Sequence, residues 1–295
     1  MKILITGTNG FIGSALLKRV FDLFGPENVV VISSNVNTRC NTITYDSKSM
    51  IFEGKFEILD DVEVLIHAGA FTPKNGSEVN DIYNCNRNII FTEKLLQLGF
   101  RKLKKIIYLS TLDVYKSDVV ISERTAIDPG SLYGLSKYYC ERMIDLFSKK
   151  MGIDSLILRV GHVYGPGEEK YEKFLPKTIR SIIQNNEVEL WGDGSDLRSF
   201  IYIDDVIEAI TNATKTIESY SIINVVGGHS ITLNELIEKL MAIRGKSVAI
   251  KMRPSNIPKR DLVFDNSLLK KTLLSNETDL IVGLKKEFDY FENLL

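Results

Sequence analysis

The sequence predicts an α/β fold: a doubly wound parallel sheet with a smaller C-terminal domain partly interleaved with it. Three observations carry this. Lys2 to Gly13 reads KILITGTNGFIG, a buried apolar run, three glycines at three-residue spacing, then apolar residues at helical spacing. Up to Val160, short apolar runs alternate with helical patterns, and no hairpin turn is legible between them. From Gly165-Pro166-Gly167 onward, glycine, proline and charge become denser and the strand signals shorten. The expected domains are therefore residues 1–165 and 166–295, with the segment near 221–226 returning to the first.

Ile3-Leu4-Ile5 can bury itself only as a central strand, and a helix follows from Phe11 to Val20. Between them Gly7, Gly10 and Gly13 allow torsions and close approaches that a side chain forbids. The free N–H groups of the helix start suit a pyrophosphate, which makes the loop, with Asn9, Phe11 and Ile12, a dinucleotide-site candidate. The spacing is G-x-x-G-x-x-G and not the commoner G-x-G-x-x-G. Val29 to Ile32 reads as the second strand, and Thr42 to Tyr45 as a third, ending at Asp46. Val62 to His67 is a fourth and runs into Ala68-Gly69-Ala70, small residues against which a flat cofactor can lie. His67 reads as a core histidine. Asn84 to Leu98 is helical, Ile106 to Leu109 is a fifth strand closed by Ser110-Thr111, Leu132 to Lys149 a long helix, and Ser155 to Val160 a sixth strand. Beyond these, helices are expected at 174–184, 203–215, 233–244 and 267–273.

Lys plus Arg number 37 and Asp plus Glu 38, a balance that offers no field for nucleic acid or an acidic membrane. Arg101-Lys102-Leu103-Lys104-Lys105 reads as a solvated loop entering a strand. Cys40, Cys85 and Cys140 are odd in number and far apart, so neither a metal site nor a disulfide framework is expected, and a reducing cytoplasm is. No signal peptide is legible, and no apolar run approaches the ~20 residues of a spanning helix.

A dinucleotide fold holds the adenosine ribose at the end of its second strand, usually through Asp or Glu. Here that strand ends in Ser33-Ser34-Asn35, with Arg39 close behind, so NADP(H) is favoured and NAD(H) stays possible. Tyr133 and Lys137 are four apart and share a helix face. A free tyrosine titrates near ~10. A neighbouring ammonium and a positive nicotinamide would lower Tyr133 toward neutrality, so that it could exchange a proton with a sugar or alcohol oxygen. Thr111, at the carboxyl end of its strand, would hydrogen-bond the same oxygen.

Six segments together resemble the extended short-chain dehydrogenases, specifically the NAD-dependent epimerase/dehydratase family of nucleotide-sugar enzymes, with a Rossmann-type fold. They are Gly7-x-x-Gly10-x-x-Gly13, Leu65-Ile66-His67-Ala68-Gly69-Ala70, Ser110-Thr111-Leu112-Asp113-Val114-Tyr115, Tyr133-x-x-x-Lys137, Leu158 to Pro166, and Arg198 to Val206. Arg260-Asp261 and Val282-Gly283-Leu284 extend the likeness nearly end to end. The resemblance implies a catalytic triad of Thr111, Tyr133 and Lys137, with Lys137 also on the nicotinamide ribose. It implies Asp46 at the adenine and Asn84 beside the cofactor. Arg198 and Arg260 would clamp the diphosphate of a nucleoside-diphosphate sugar, as a guanidinium fork suits. Asp113, His162 and Phe174 would face substrate, and Lys177 more weakly. A homodimer is implied through the helices of Asn84 and Tyr133, with Tyr138 and Met143 as candidates for burial there.

Two departures narrow the expected reaction. Dehydratases of this family follow the catalytic Thr with Asp-Glu, and Leu112 cannot supply that proton. The missing ribose carboxylate points from a 4-epimerase toward an NADPH-using reductase of 4-keto-6-deoxyhexoses linked to a nucleotide. An NAD-dependent 4-epimerase is the alternative, and a non-catalytic nucleotide-binding protein a remote one.

Overall fold

Lys2–Thr6 forms strand β1, followed by helix α1 (Phe11–Phe24), β2 (Val29–Ser33), β3 (Asn41–Asp46), β4 (Ile51–Glu53) and β5 (Val62–His67). Then come α2 (Ile82–Leu96), β6 (Lys105–Thr111), α3 (Leu132–Met151), β7 (Asp154–Val160) and β8 (His162–Tyr164). The C-terminal part adds α4 (Phe174–Ile183), β9 (Val188–Trp191), β10 (Leu197–Tyr202), α5 (Ile203–Ala213) and β11 (Ile222–Val225). It ends with β12 (Ser230–Thr232), α6 (Leu233–Arg244), β13 (Ile250–Arg253), α7 (Ser267–Thr272) and α8 (Leu280–Leu294). This computed structural model describes residues 1–216, 221–255 and 259–295.

Eight strands make the main sheet, in the order β11-β7-β6-β5-β1-β2-β3-β4. Successive side chains of β1 enter opposite cores: Ile3 and Ile5 pack with α1 and α5, while Leu4 packs with α2 and α3. β2, β5 and β6 divide the same way. Burying one such side chain contributes about 1.5–3 kcal/mol. That exceeds the ~1 kcal/mol span of strand propensity, so burial on both faces makes these runs central strands.

The sheet is parallel except at its edge, where β4 runs antiparallel to β3. This hairpin corrects the expectation that none exists. Ile51–Glu53 is too short to show alternation, and the turn before it is built by Asp46, whose carboxylate accepts from Lys48 N and Ser49 Oγ. β11 joins the opposite edge by pairing with β7. Two small sheets, β12-β10-β8 and β13-β9, carry no legible signal, since their strands are three to six residues long; helix α8, whose buried Leu284, Phe288 and Phe291 recur at helical spacing behind an Asp279 cap, is missing from the expected helices. Lys105 is also not solvated: it opens β6, is buried, and its Nζ donates to Thr216 O at 2.6 Å.

Candidate active site

The glycine loop lies at the carboxyl end of β1. Gly7 has φ +79°, and a Cβ there would stand 2.6 Å from the Ala68 and Gly69 backbone. A Cβ on Gly13 would stand 2.0 Å from Gly7 O. α1 starts at Gly10 with no side-chain cap and no acid in its first turn, which leaves its N–H groups to a ligand. Thr6 Oγ1 accepts from Gly69 N at 2.8 Å and so joins the two cofactor-facing loops. His67 bonds Thr6 Oγ1 and Thr92 Oγ1, each at 2.9 Å, and burial, then Lys137, push its pKa down to about 3. It is a neutral core residue.

A cavity of about 860 Å³ runs from this loop across the ends of β1, β5, β6 and β7. Gly7, Asn9, Gly10, Phe11, Ile12, Gly13, Ser33, Ser34, Ala68, Gly69, Ala70 and Asn84 line one part; Thr111, Asp113, Tyr133, Lys137, His162 and Arg260 line the other. Ser131 caps α3 by accepting from Gly134 N at 3.1 Å, which sets Tyr133 and Lys137 in the first two turns. Lys137 Nζ donates to Leu109 O at 2.6 Å and sits 4.3 Å from the Tyr108 ring centre. Burial lowers its pKa to about 8. Thr111 Oγ1 donates to Asp113 Oδ2 at 3.2 Å.

The pKa of Tyr133 is expected to be lowered by the ammonium and a bound nicotinamide together; the protein by itself holds it the other way. Burial, then the Asp113 charge, push its pKa up, and hydrogen bonds with Thr72 and Thr111 only partly offset them. In the free protein the phenol is therefore protonated.

At the adenosine side, Asn9 Nδ2 donates to Ser33 Oγ at 3.0 Å and to Ser34 Oγ at 3.3 Å. Two expected residues stand off the cavity lining here. Arg39 is outside the cavity lining, its guanidinium 4.7 Å from the Phe21 ring centre. Asp46 is also outside, spent on the hairpin turn, while its neighbours Tyr45 and Ser47 line the wall. Asn84 bonds the helix cap Asp81. One turn on, Asn88 is the buried asparagine: it accepts from Phe71 N at 2.6 Å and donates to Ser136 Oγ at 3.2 Å. Arg87 also lines the wall, bonding Ser47 O at 2.7 Å and Asn84 Oδ1 at 3.1 Å, with its buried Nε unpartnered. Neither Asn88 nor Arg87 is a sequence-stated candidate; the only available signal was their position one turn after Asn84 on α2.

On the substrate side, Arg198 does not line the cavity. It donates to Arg260 O at 2.6 Å and pairs with Asp196 at 3.0 Å, which ties it to the wall behind Arg260. Phe174 opens α4 and packs on the main core, and exposed Lys177 pairs with Glu172 at 3.5 Å. Lys170, Tyr171 and Lys173 line the cavity in their place. His162 has a buried Nδ1 with no partner among the described residues, and burial, then Lys173 and the two arginines, lower its pKa to about 4. Tyr138 and Met143 pack inward, whereas Leu135, Tyr139 and Leu146 are exposed on the outer face of α3.

The sequence pattern of the NAD dependent epimerase/dehydratase family matches residues 3–226. A putative UDP-glucose 4-epimerase of Methanocaldococcus jannaschii is 27% identical over 99% of this chain and 98% of its own. A dTDP-4-dehydro-6-deoxy-D-allose reductase of a Streptomyces species is 24% identical over 96% of this chain and 94% of its own. Among solved structures, UDP-glucuronic acid 4-epimerase from Bacillus cereus, in complex with UDP-4-deoxy-4-fluoro-glucuronic acid and NAD, superposes with TM-score 0.88. It is 28% identical and the match covers 100% of both chains.

Proposed function

The chain belongs to the NAD dependent epimerase/dehydratase family, and from that premise we propose a nucleotide-sugar 4-epimerase that keeps NAD(H) bound through turnover. The supporting observation is one cavity with the glycine loop at one end and Thr111, Tyr133 and Lys137 at the other. Its residues fit a dinucleotide. The loop excludes any Cβ at Gly7 and Gly13, and the uncapped start of α1 offers donors to a pyrophosphate. When bound, the nicotinamide supplies the acceptor and donor of the C4 hydrogen. With its phenol ionised by the Lys137 ammonium and the positive nicotinamide of the bound cofactor, Tyr133 Oη would take the proton of the C4 hydroxyl and return it to the carbonyl oxygen. Thr111 Oγ1 holds that oxygen, and Lys137 places an ammonium beneath the site. Arg260 faces the diphosphate. Leu112, which lines the wall after Thr111, offers no acid for dehydration.

Sequence reasoning prefers an NADPH-using reductase. That preference loses Arg39, which stands outside the cavity. The reductase remains the second reading because Asn9, Ser33 and Ser34, with no carboxylate, form the wall at the end of β2. Incubation with UDP-hexoses and no added cofactor, followed by NMR, separates the two. Inversion at C4 is expected. No inversion, with NADPH oxidation upon adding a 4-keto sugar nucleotide, would establish the reductase.

Two expectations accompany this reading. Arg87→Ala should weaken dinucleotide binding about tenfold, the value of a hydrogen bond to a charged group. Unchanged affinity by calorimetry would remove Arg87 from the site. The exposed Ile82, Tyr83, Leu135, Tyr139 and Leu146 on α2 and α3 form an apolar face suited to a second copy of this chain. Sedimentation should give twice the chain mass, and the mass of one chain would reject the dimer.

A further inference from the structure

Two acids that the proposed reaction does not use lie behind the substrate wall. Glu168, just after Gly167, is 2% exposed; Glu287, in the middle of α8, is 0% exposed. Neither oxygen of Glu287, nor Oε2 of Glu168, makes a well-formed hydrogen bond among the described residues, and the nearest backbone donor to Glu287 is the Gly165 N–H. Their carboxyls face each other. Two carboxylates cannot hydrogen-bond each other; the contact forms only when one carries a proton. The other oxygen of Glu168 is 3.4 Å from Lys173 Nζ. Lys173 lines the cavity, stands 4.7 Å from the Tyr171 ring centre, and Tyr171 packs on Phe11 of the glycine loop.

We propose that Glu168 and Glu287 share one proton, and that this pair clasps α8 to the 168–173 loop and positions the Lys173 ammonium for an anionic group of the substrate. The last clause depends on reading the cavity as a sugar-nucleotide site; the shared proton does not. Among the described residues the cation that faces the pair is Lys173. Among the described residues, Tyr164 of β8, Tyr202 of β10 and the Gly165 N–H face Glu287 from the other sides, and the next cation, Lys286, lies over the Tyr202 ring at 5.1 Å from its centre. Burial raises the pKa of both acids, and that of Glu287 is raised well above the ordinary value. The sign follows: their contribution to stability is full below the unfolded glutamate pKa near ~4.3 and is lost as pH rises toward the folded value.

The test is melting and hydrogen exchange of wild type, Glu287→Gln and Glu168→Gln from pH 5 to 9, with titration by nucleoside diphosphates. Glu287→Gln keeps a neutral donor to Glu168. It should melt with wild type at pH 5 and progressively above it toward pH 9. Glu168→Gln should speed exchange in 168–173 at every pH, and both it and Lys173→Ala should weaken nucleoside diphosphate binding about tenfold. A Glu287→Gln melting curve parallel to wild type across the range would overturn the shared proton. Unchanged exchange and affinity in Glu168→Gln would overturn the positioning role. If wild type binds no nucleoside diphosphate while the melting and exchange results hold, the sugar-nucleotide reading and the role of Lys173 both fall, and the clasp stands.

Discussion

Replacing Tyr133 by Phe is expected to lower kcat by about 10²–10⁴-fold, the usual worth of a positioned acid–base group. Dinucleotide affinity should not change. The phenol is buried in the wall facing Thr111, and Phe deletes its hydroxyl while keeping the ring. The backbone around it is held by the Ser131 cap and by Tyr133 N donating to Val79 O at 3.0 Å, neither of which involves the hydroxyl. The pH profile should carry a matching sign. Lys137 has a pKa lowered to about 8, so its ammonium is lost as pH rises through that value, and turnover should fall with it. Full activity in the Phe variant, or a rate that keeps climbing well above pH 8, would remove the assigned roles.

The largest loss of stability should come from Glu141→Ala. Arg159 is 1% exposed and sends Nε and Nη2 to the two oxygens of Glu141, at 3.0 and 2.6 Å. Ser110 Oγ donates to the same carboxylate. Deleting Glu141 leaves a buried guanidinium with only the Tyr115 ring, 4.6 Å away, for company. Breaking a buried pair in this way costs about 3–5 kcal/mol. Because Glu141 is one turn beyond Lys137 and Ser110 precedes Thr111, the pair also ties the catalytic helix to its strand. Urea unfolding should show the loss; a change under ~1 kcal/mol would mean that water or a repacked side chain replaces the carboxylate.

Legibility followed locality. β1, the glycine loop and α1 could be read because their whole logic lies in a dozen consecutive residues. The same holds for the Tyr133–Lys137 spacing on α3. Asp46 and Arg39 stand off the cavity lining because each answers to a partner that its own strand end does not reveal: a hairpin turn for one, the Phe21 ring for the other. Asn84 lines the cavity, but its helix begins at Ile82 and the buried amide one turn on is Asn88. Glu287 has no sequence signal at all, since only packing of α8 against the 168–173 loop makes it a buried acid.

The most direct test of retained-cofactor epimerase chemistry is to denature freshly purified protein and identify the dinucleotide it releases. Stoichiometric NAD(H) is the predicted result. A protein that releases no NAD(H), whether it then binds NADPH or neither cofactor, would contradict the account.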